Sequence, residues 1–151
     1  MLSLLTKNWL RKIEPGPKIA GLTRLDRKKR TQKIQLGRSA EQIAANHLQR
    51  IGWRLLRQNH RVEIPSSHGL RTKKIEIDLL VQKDQEVLLV EVKFRRRQDM
   101  LSANWAVLTK NQLERLRLAK CYAASKNPHL LFRILLLWVD EFQEVHFLDN
   151  Y

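Results

Sequence analysis

Glu76 and Asp78 break into the apolar run "KIEIDLLV", and Glu91 and Lys93 break into "EVLLVEVKFR". In a strand, residues two apart point to the same face. Glu76 and Asp78 therefore share one face, and Ile75, Ile77, Leu79 and Val81 the other. Glu91 and Lys93 likewise share a face, opposite Leu88, Val90, Val92 and Phe94. The polar "QKDQ" between the runs reads as a tight turn. The two strands then pair as an antiparallel hairpin, and the four charged side chains meet at one end of one face.

Carboxylates in apolar surroundings are costly, and two close together raise each other's pKa. A hard divalent cation removes that conflict. Mg²⁺ or Mn²⁺ takes oxygen ligands and is held by one or two carboxylates plus substrate phosphate and water. Asp78 and Glu91 suit that task. A protonated Lys93 is no ligand, but it can orient a water or offset charge developing on a phosphoryl group. This combination in a basic protein points to phosphodiester hydrolysis. The plainer alternative is a Glu–Lys pairing across a half-wet hairpin. Three acids against one base, inside apolar runs, weigh against it.

The elements that must position these groups follow from periodicity. Leu36, Ala40, Ile43, Ala44, His47, Leu48 and Ile51 recur at three- and four-residue steps, which predicts a helix from Gln35 that stops at Gly52. "WRLLRQNHRV" reads as a first strand, and "EIPSSHGLRTKK" as a long loop. A second helix starts after the N-cap Thr109 and ends at "KNPH". "LLFRILLLWV" is a central buried strand, and "EFQEVHFL" a last one. The order predicts an α/β domain with a mixed sheet flanked by helices on both faces.

Of 151 residues, 29 are Lys or Arg and 15 are acidic, a net charge of +14. Such a balance favours polyanionic partners, nucleic acid first. Residues 1–38 hold eleven of the basic residues and two of the acids, a net +9. "EPGPK" and "RLDRKKRTQK" read as a flexible basic leader, preceded by a short amphipathic helix through Leu2, Leu5, Trp9 and Ile13. This divides the chain into a basic extension, residues 1–34, and a domain, residues 35–151. Cys121 is the only cysteine, which rules out a disulfide framework and fits a reducing cytoplasm. No apolar run approaches the ~20 residues that span a bilayer.

The same residues carry a resemblance. "GRSAE" (Gly37–Glu41), "IEIDLL" (Ile75–Leu80) and "VEVKFR" (Val90–Arg95), followed by "TKNQLERLRLAKCY" and "LFRILLLWV", resemble the core of the PD-(D/E)xK nuclease superfamily. They most resemble the YraN family, a bacterial group with a Holliday-junction-resolvase-like, restriction-endonuclease-like fold. The likeness covers roughly residues 35–139. It implies Asp78 and Glu91 as metal ligands, Lys93 as the catalytic lysine, and Glu41 and the Val92 carbonyl as further ligands. Glu76 becomes a helper. The implied activity is endonucleolytic, on DNA rather than RNA and on branched DNA by analogy. A homodimer follows by the same analogy. The chain departs from the pattern at Ala40 and Ile75, each replacing a glycine, and at Arg133, where the final strand usually carries an aspartate. The 63–74 loop is also longer than usual.

Arg95, Arg96 and Arg97 follow the lysine strand directly and are candidate phosphate contacts. Arg38, Lys73, Lys74 and Lys110 are candidates from neighbouring segments. His47, His60, His68, His129 and His146 lack metal-ligand spacing and read as surface or packed residues. Trp53, Trp105 and Trp138 read as core. Two rival readings use the same sequence: a non-catalytic nucleic-acid-binding module, and a basic RNA-associated protein working through its leader.

Overall fold

A computed structural model describes residues 23–65, 72–100 and 108–148. The chain divides into two units, residues 1–32 and 33–151. The expected amphipathic helix near the start and Trp105 lie outside the described residues. In the first unit, residues 24–32 are helical and exposed. This helix has a local reason. Thr23 and Asp26 cap the start reciprocally: the Asp26 N–H donates to the Thr23 hydroxyl at 3.2 Å, and the Thr23 N–H to the Asp26 carboxylate at 3.1 Å. The Lys, Arg and Gln residues that follow are good helix formers.

The helix α1 is Arg24–Arg50. It ends where the sequence predicts. Gly52 takes φ +95°, its N–H donates to the Gln49 carbonyl, and the Trp53 N–H to the Leu48 carbonyl. That is a left-handed cap which glycine adopts without strain. The strands are β1 (Arg54–Pro65), β2 (Thr72–Lys83), β3 (Glu86–Phe94), β4 (Leu131–Val139) and β5 (Val145–Leu148). Between β3 and β4 lie α2 (Arg97–Met100), which periodicity did not predict, and α3 (Lys110–Lys126). Thr109 caps α3 with a capping box to Gln112, as expected.

The five strands form one mixed sheet in the order β1-β2-β3-β4-β5. β3 and β4 are parallel, joined through α3; the other pairings are antiparallel. The β2–β3 hairpin turns at Asp84 and Gln85, as "QKDQ" predicts. The expected 63–74 loop is shorter than read: Glu63–Pro65 extends β1, and Thr72–Lys74 begins β2. Pro65 is accommodated because β1 is an edge strand.

Each face of the sheet has its own core. Ala40, Ala44, Ala45 and Leu48 of α1 pack with Leu79, Val81, Leu88, Val90, Val92, Leu137 and Val139. Leu116 and Ala119 of α3 pack with Ile64, Ile75, Ile77, Leu89 and Ile134. Arg133 pairs with Glu86 at 2.9 Å. Trp53 packs half-buried against the first core, and half-buried Trp138 stacks on His146. Among the described residues no helix is long and apolar enough to cross a membrane.

A Cβ at Gly52 would meet only the flexible end of Lys83, at 3.6 Å. Gly52→Ala should therefore act through backbone conformation alone and lower stability by roughly 1–2 kcal/mol, read from urea unfolding.

Candidate functional site

The site lies where the sheet splits. β2 pairs with β3 only from Lys83↔Glu86 to Leu79↔Val90. Beyond that point β2 continues along β1 to Thr72, and β3 continues along β4 to Phe94. Asp78 and Glu91 are the first residues past the fork. At the fork the Asp78 side chain replaces a ladder partner: the Val92 N–H donates to its Oδ2 at 2.7 Å. A carboxylate accepting a backbone N–H makes a strong, short bond.

Strict alternation also ends here. Ile75, Ile77, Leu79 and Val81 are all buried, as period two requires, yet they do not share one face. Ile75 and Ile77 pack on the α3 side, Leu79 and Val81 on the α1 side. The switch falls at Asp78. Across from it in β1, between the pairs Gln58↔Leu79 and His60↔Ile77, lies Asn59 with φ 50°. A left-handed residue in a strand adds local twist and re-aims the side chains around it. The apolar set on β3 keeps its single face, as expected: Leu88, Val90, Val92 and Phe94 all belong to the α1-side core.

The fork gathers the charged groups that the sequence singles out. Glu91 forms an ion pair with Lys93, and their side chains are 13% and 19% exposed. Glu76 pairs with Arg61 at 2.9 Å. Glu41 arrives from α1. Burial raises its pKa, the charges of Glu76 and Glu91 raise it further, and an Asn59 hydrogen bond and Arg38 oppose the rise. Asp78 is pushed up to about 7, first by burial and then by Glu91 and Glu41, against the Val92 N–H and Lys93. Glu76, Asp78 and Glu91 line one side of a cleft of about 170 Å³. These acids crowd one another more than the local cations relieve, and a hard divalent cation fits such a donor set. The Val92 N–H is committed to Asp78, so only its carbonyl is a candidate ligand.

The basic candidates differ in what occupies them. Arg38 and Lys73 are exposed, and Lys110 is exposed at the start of α3. Lys74 pairs with Glu63 at 3.1 Å. Arg95 is half-buried and donates to the Phe94 carbonyl, while Arg96 is exposed. Arg97 is engaged throughout: it pairs with Asp140 at 2.8 Å and with Glu144, its N–H donates to Glu141, and it lies 4.9 Å over the Phe142 ring.

Asp140, directly after β4, was not singled out by the sequence. Burial would raise its pKa, but bonds from Arg97, His146 and the Glu144 and Phe142 N–H groups outweigh that and hold it well below the carboxylate range. Asp140, Glu144 and His146 form a group that could hold a metal ion, their ligand atoms lying within 4.8 Å of one another. In the structure the Arg97 guanidinium answers its charge. His146 is packed, as read from the sequence: it stacks on Trp138 and bonds Asp140 at 3.0 Å. The one sequence signal was a carboxylate ending the most apolar run, since the spacing Asp-x₃-Glu-x-His needs the turn after β4 to converge.

Asp78 makes stability pH-dependent. Its carboxyl titrates near the ordinary 3.8 when unfolded and at about 7 when folded. Between those values the folded state binds the extra proton, so metal-free stability falls as pH rises through that window, by up to about 4 kcal/mol. Asp78→Asn should flatten the fall and make the metal-free variant more stable than wild type at about pH 8. Urea unfolding at about pH 4 and about pH 8 measures this.

A model of the Uncharacterised protein family UPF0102 matches residues 40–139. A UPF0102 protein of Chlorobium phaeobacteroides is 33% identical over 90 residues, 60% of this chain and 63% of that protein. Another, of Vibrio parahaemolyticus, is 39% identical over 71 residues, 47% of this chain and 50% of that protein. The chain thus spans less than two thirds of these two relatives. A third, of Alkaliphilus metalliredigens, is 30% identical over 118 residues, 76% of this chain and 95% of that protein. The matched span opens one residue before Glu41, closes at the end of β4, and encloses Glu76, Asp78, Glu91 and Lys93. The chain belongs to the Uncharacterised protein family UPF0102, the YraN family.

Proposed function

We propose that the protein is a divalent-metal-dependent nuclease that hydrolyses phosphodiester bonds, on DNA in preference to RNA. The observation that carries this reading is the fork: Asp78, Glu91 and Lys93 converge where β2 and β3 part, with Asp78 pushed up to about 7. Asp78, Glu91 and the Val92 carbonyl would hold the ion, with Glu41 contributing from α1. Mg²⁺ or Mn²⁺ bound there would neutralise the carboxylates and polarise a phosphoryl oxygen.

The chain's own groups supply the rest. The Asp78–Val92 bond fixes one carboxylate without flexible linkers. Glu91 holds the Lys93 ammonium beside the carboxylates. There the ammonium can orient the attacking water and offset charge as the new P–O bond forms and the ester P–O bond breaks. Glu41, arriving from α1, can also hydrogen-bond that water. The net charge of +14 draws a polyanion to the surface.

Incubation with supercoiled, single-stranded and branched DNA, and with RNA, with and without Mn²⁺, tests the reading. Asp78→Ala and Lys93→Ala should each reduce metal-dependent cleavage on the order of 10²-fold or more. Cleavage at the wild-type rate by both variants sinks it. Binding without cleavage by any form favours the non-catalytic module. Mn²⁺ should also raise the Tm of the wild type at about pH 8 and not that of Asp78→Ala.

A further inference from the structure

The cleft that holds Asp78 and Glu91 has a second wall, formed by Gln112, Arg115 and Leu116 of α3. Two of these residues have structural duties. Leu116 is buried in the α3-side core, and the Gln112 side chain accepts the Thr109 N–H at 3.1 Å in the capping box. Arg115 has no comparable engagement. Its guanidinium makes a long 3.5 Å contact to the Lys74 carbonyl and no ion pair among the described residues. It shares the cleft with three acids, of which Glu76 is already held by Arg61 at 2.9 Å.

A guanidinium carries five N–H donors in a planar fork that matches a phosphate. Among the described residues lining this cleft, Arg115 is the only cation and none is aromatic. Such a lining suits a backbone phosphate better than a base.

We infer that Arg115 is a substrate-binding residue that grips a phosphate next to the one being cut, so the cleft takes an internal phosphodiester of a polynucleotide strand without reading its bases. This rests on the nuclease reading for the identity of the cut phosphate. The grip itself is measurable without cleavage. A strand entering between the carboxylate fork and α3 meets the metal-holding groups on one side and Arg115 on the other. An isolated phosphodiester would engage the fork alone.

The test measures binding of labelled single strands of mixed sequence, one of DNA and one of RNA, in a Lys93→Ala background with Mn²⁺. Arg115→Gln should weaken binding on the order of tenfold and reduce the slope of log affinity against log salt by about 0.7–1. Arg115→Lys should keep the slope, because the charge remains. Arg117→Gln is the control: it is exposed two residues along α3, off the cleft-facing side. An unchanged slope in Arg115→Gln overturns the inference, and so does an equal loss in Arg117→Gln. Thermal unfolding of each variant separates a lost contact from lost structure. A loss specific to Arg115→Gln stands even if no form cuts any strand, whereas an unchanged slope leaves the cleavage results for Asp78 and Lys93 intact.

Discussion

The hydrogen bond from the Val92 N–H to the Asp78 carboxylate, 2.7 Å long, is the contact on which the site depends. Two buried antiparallel strands ordinarily exchange main-chain bonds along their whole length. Here the exchange stops at Leu79↔Val90, and a side chain takes the next donor. Without that bond the Val92 N–H would be an unsatisfied donor in a buried segment. With it, β3 can leave β2 and follow β4, while β2 follows β1. The fork is thus stabilised by the same carboxylate that gives it chemical interest, and Asp78 carries a structural and an electrostatic role at once.

That double role explains the balance of charge around it. The chain as a whole is strongly basic, yet the cleft at the fork is lined by three acids. Cations nearby are assigned singly: Arg61 to Glu76, Lys93 to Glu91. Asp78 and Glu41 receive main-chain or amide hydrogen bonds instead, and both keep raised pKa values. A fold selected only for stability would pair these acids or replace them with apolar residues. Their partial relief is what the proposed cation would complete.

Much of this was legible from residue spacing. Period two found both strands of the hairpin, and the caps at Gly52 and Thr109 bounded the helices. Spacing singled out Asp78, Glu91 and Lys93, the family resemblance added Glu41, and the structure brings the four together. Two of the features that spacing missed were set by distant partners. The face switch at Asp78 depends on Asn59 in a different strand adopting a left-handed backbone. The extra strand residues at Glu63–Pro65 and Thr72–Lys74 are mutual, each side existing because the other pairs with it. The helix over residues 24–32 was hidden by its charge, because the solvated face of a helix and a solvated coil have the same composition.

Arg97 shows why a charge run cannot be read as one surface. Three consecutive arginines follow Phe94, but they meet different surroundings. The Arg95 N–H extends the β3–β4 pairing by bonding the Val139 carbonyl, and Arg96 points to solvent. Arg97 is drawn to the turn after β4, where Asp140, Glu144 and Phe142 converge on it. That attachment ties the exit of the lysine strand to the far end of β4, so the chain leaving Lys93 is anchored within a few residues. Asp140 can hold that anchor because four donors share its two oxygens, which holds its pKa low against the rise that burial causes. Half-buried Asp78 in β2 and buried Asp140 just after β4 therefore sit at opposite ends of one electrostatic scale. Asp140 is oversupplied with donors and fixes structure, while Asp78 is undersupplied and keeps a raised pKa.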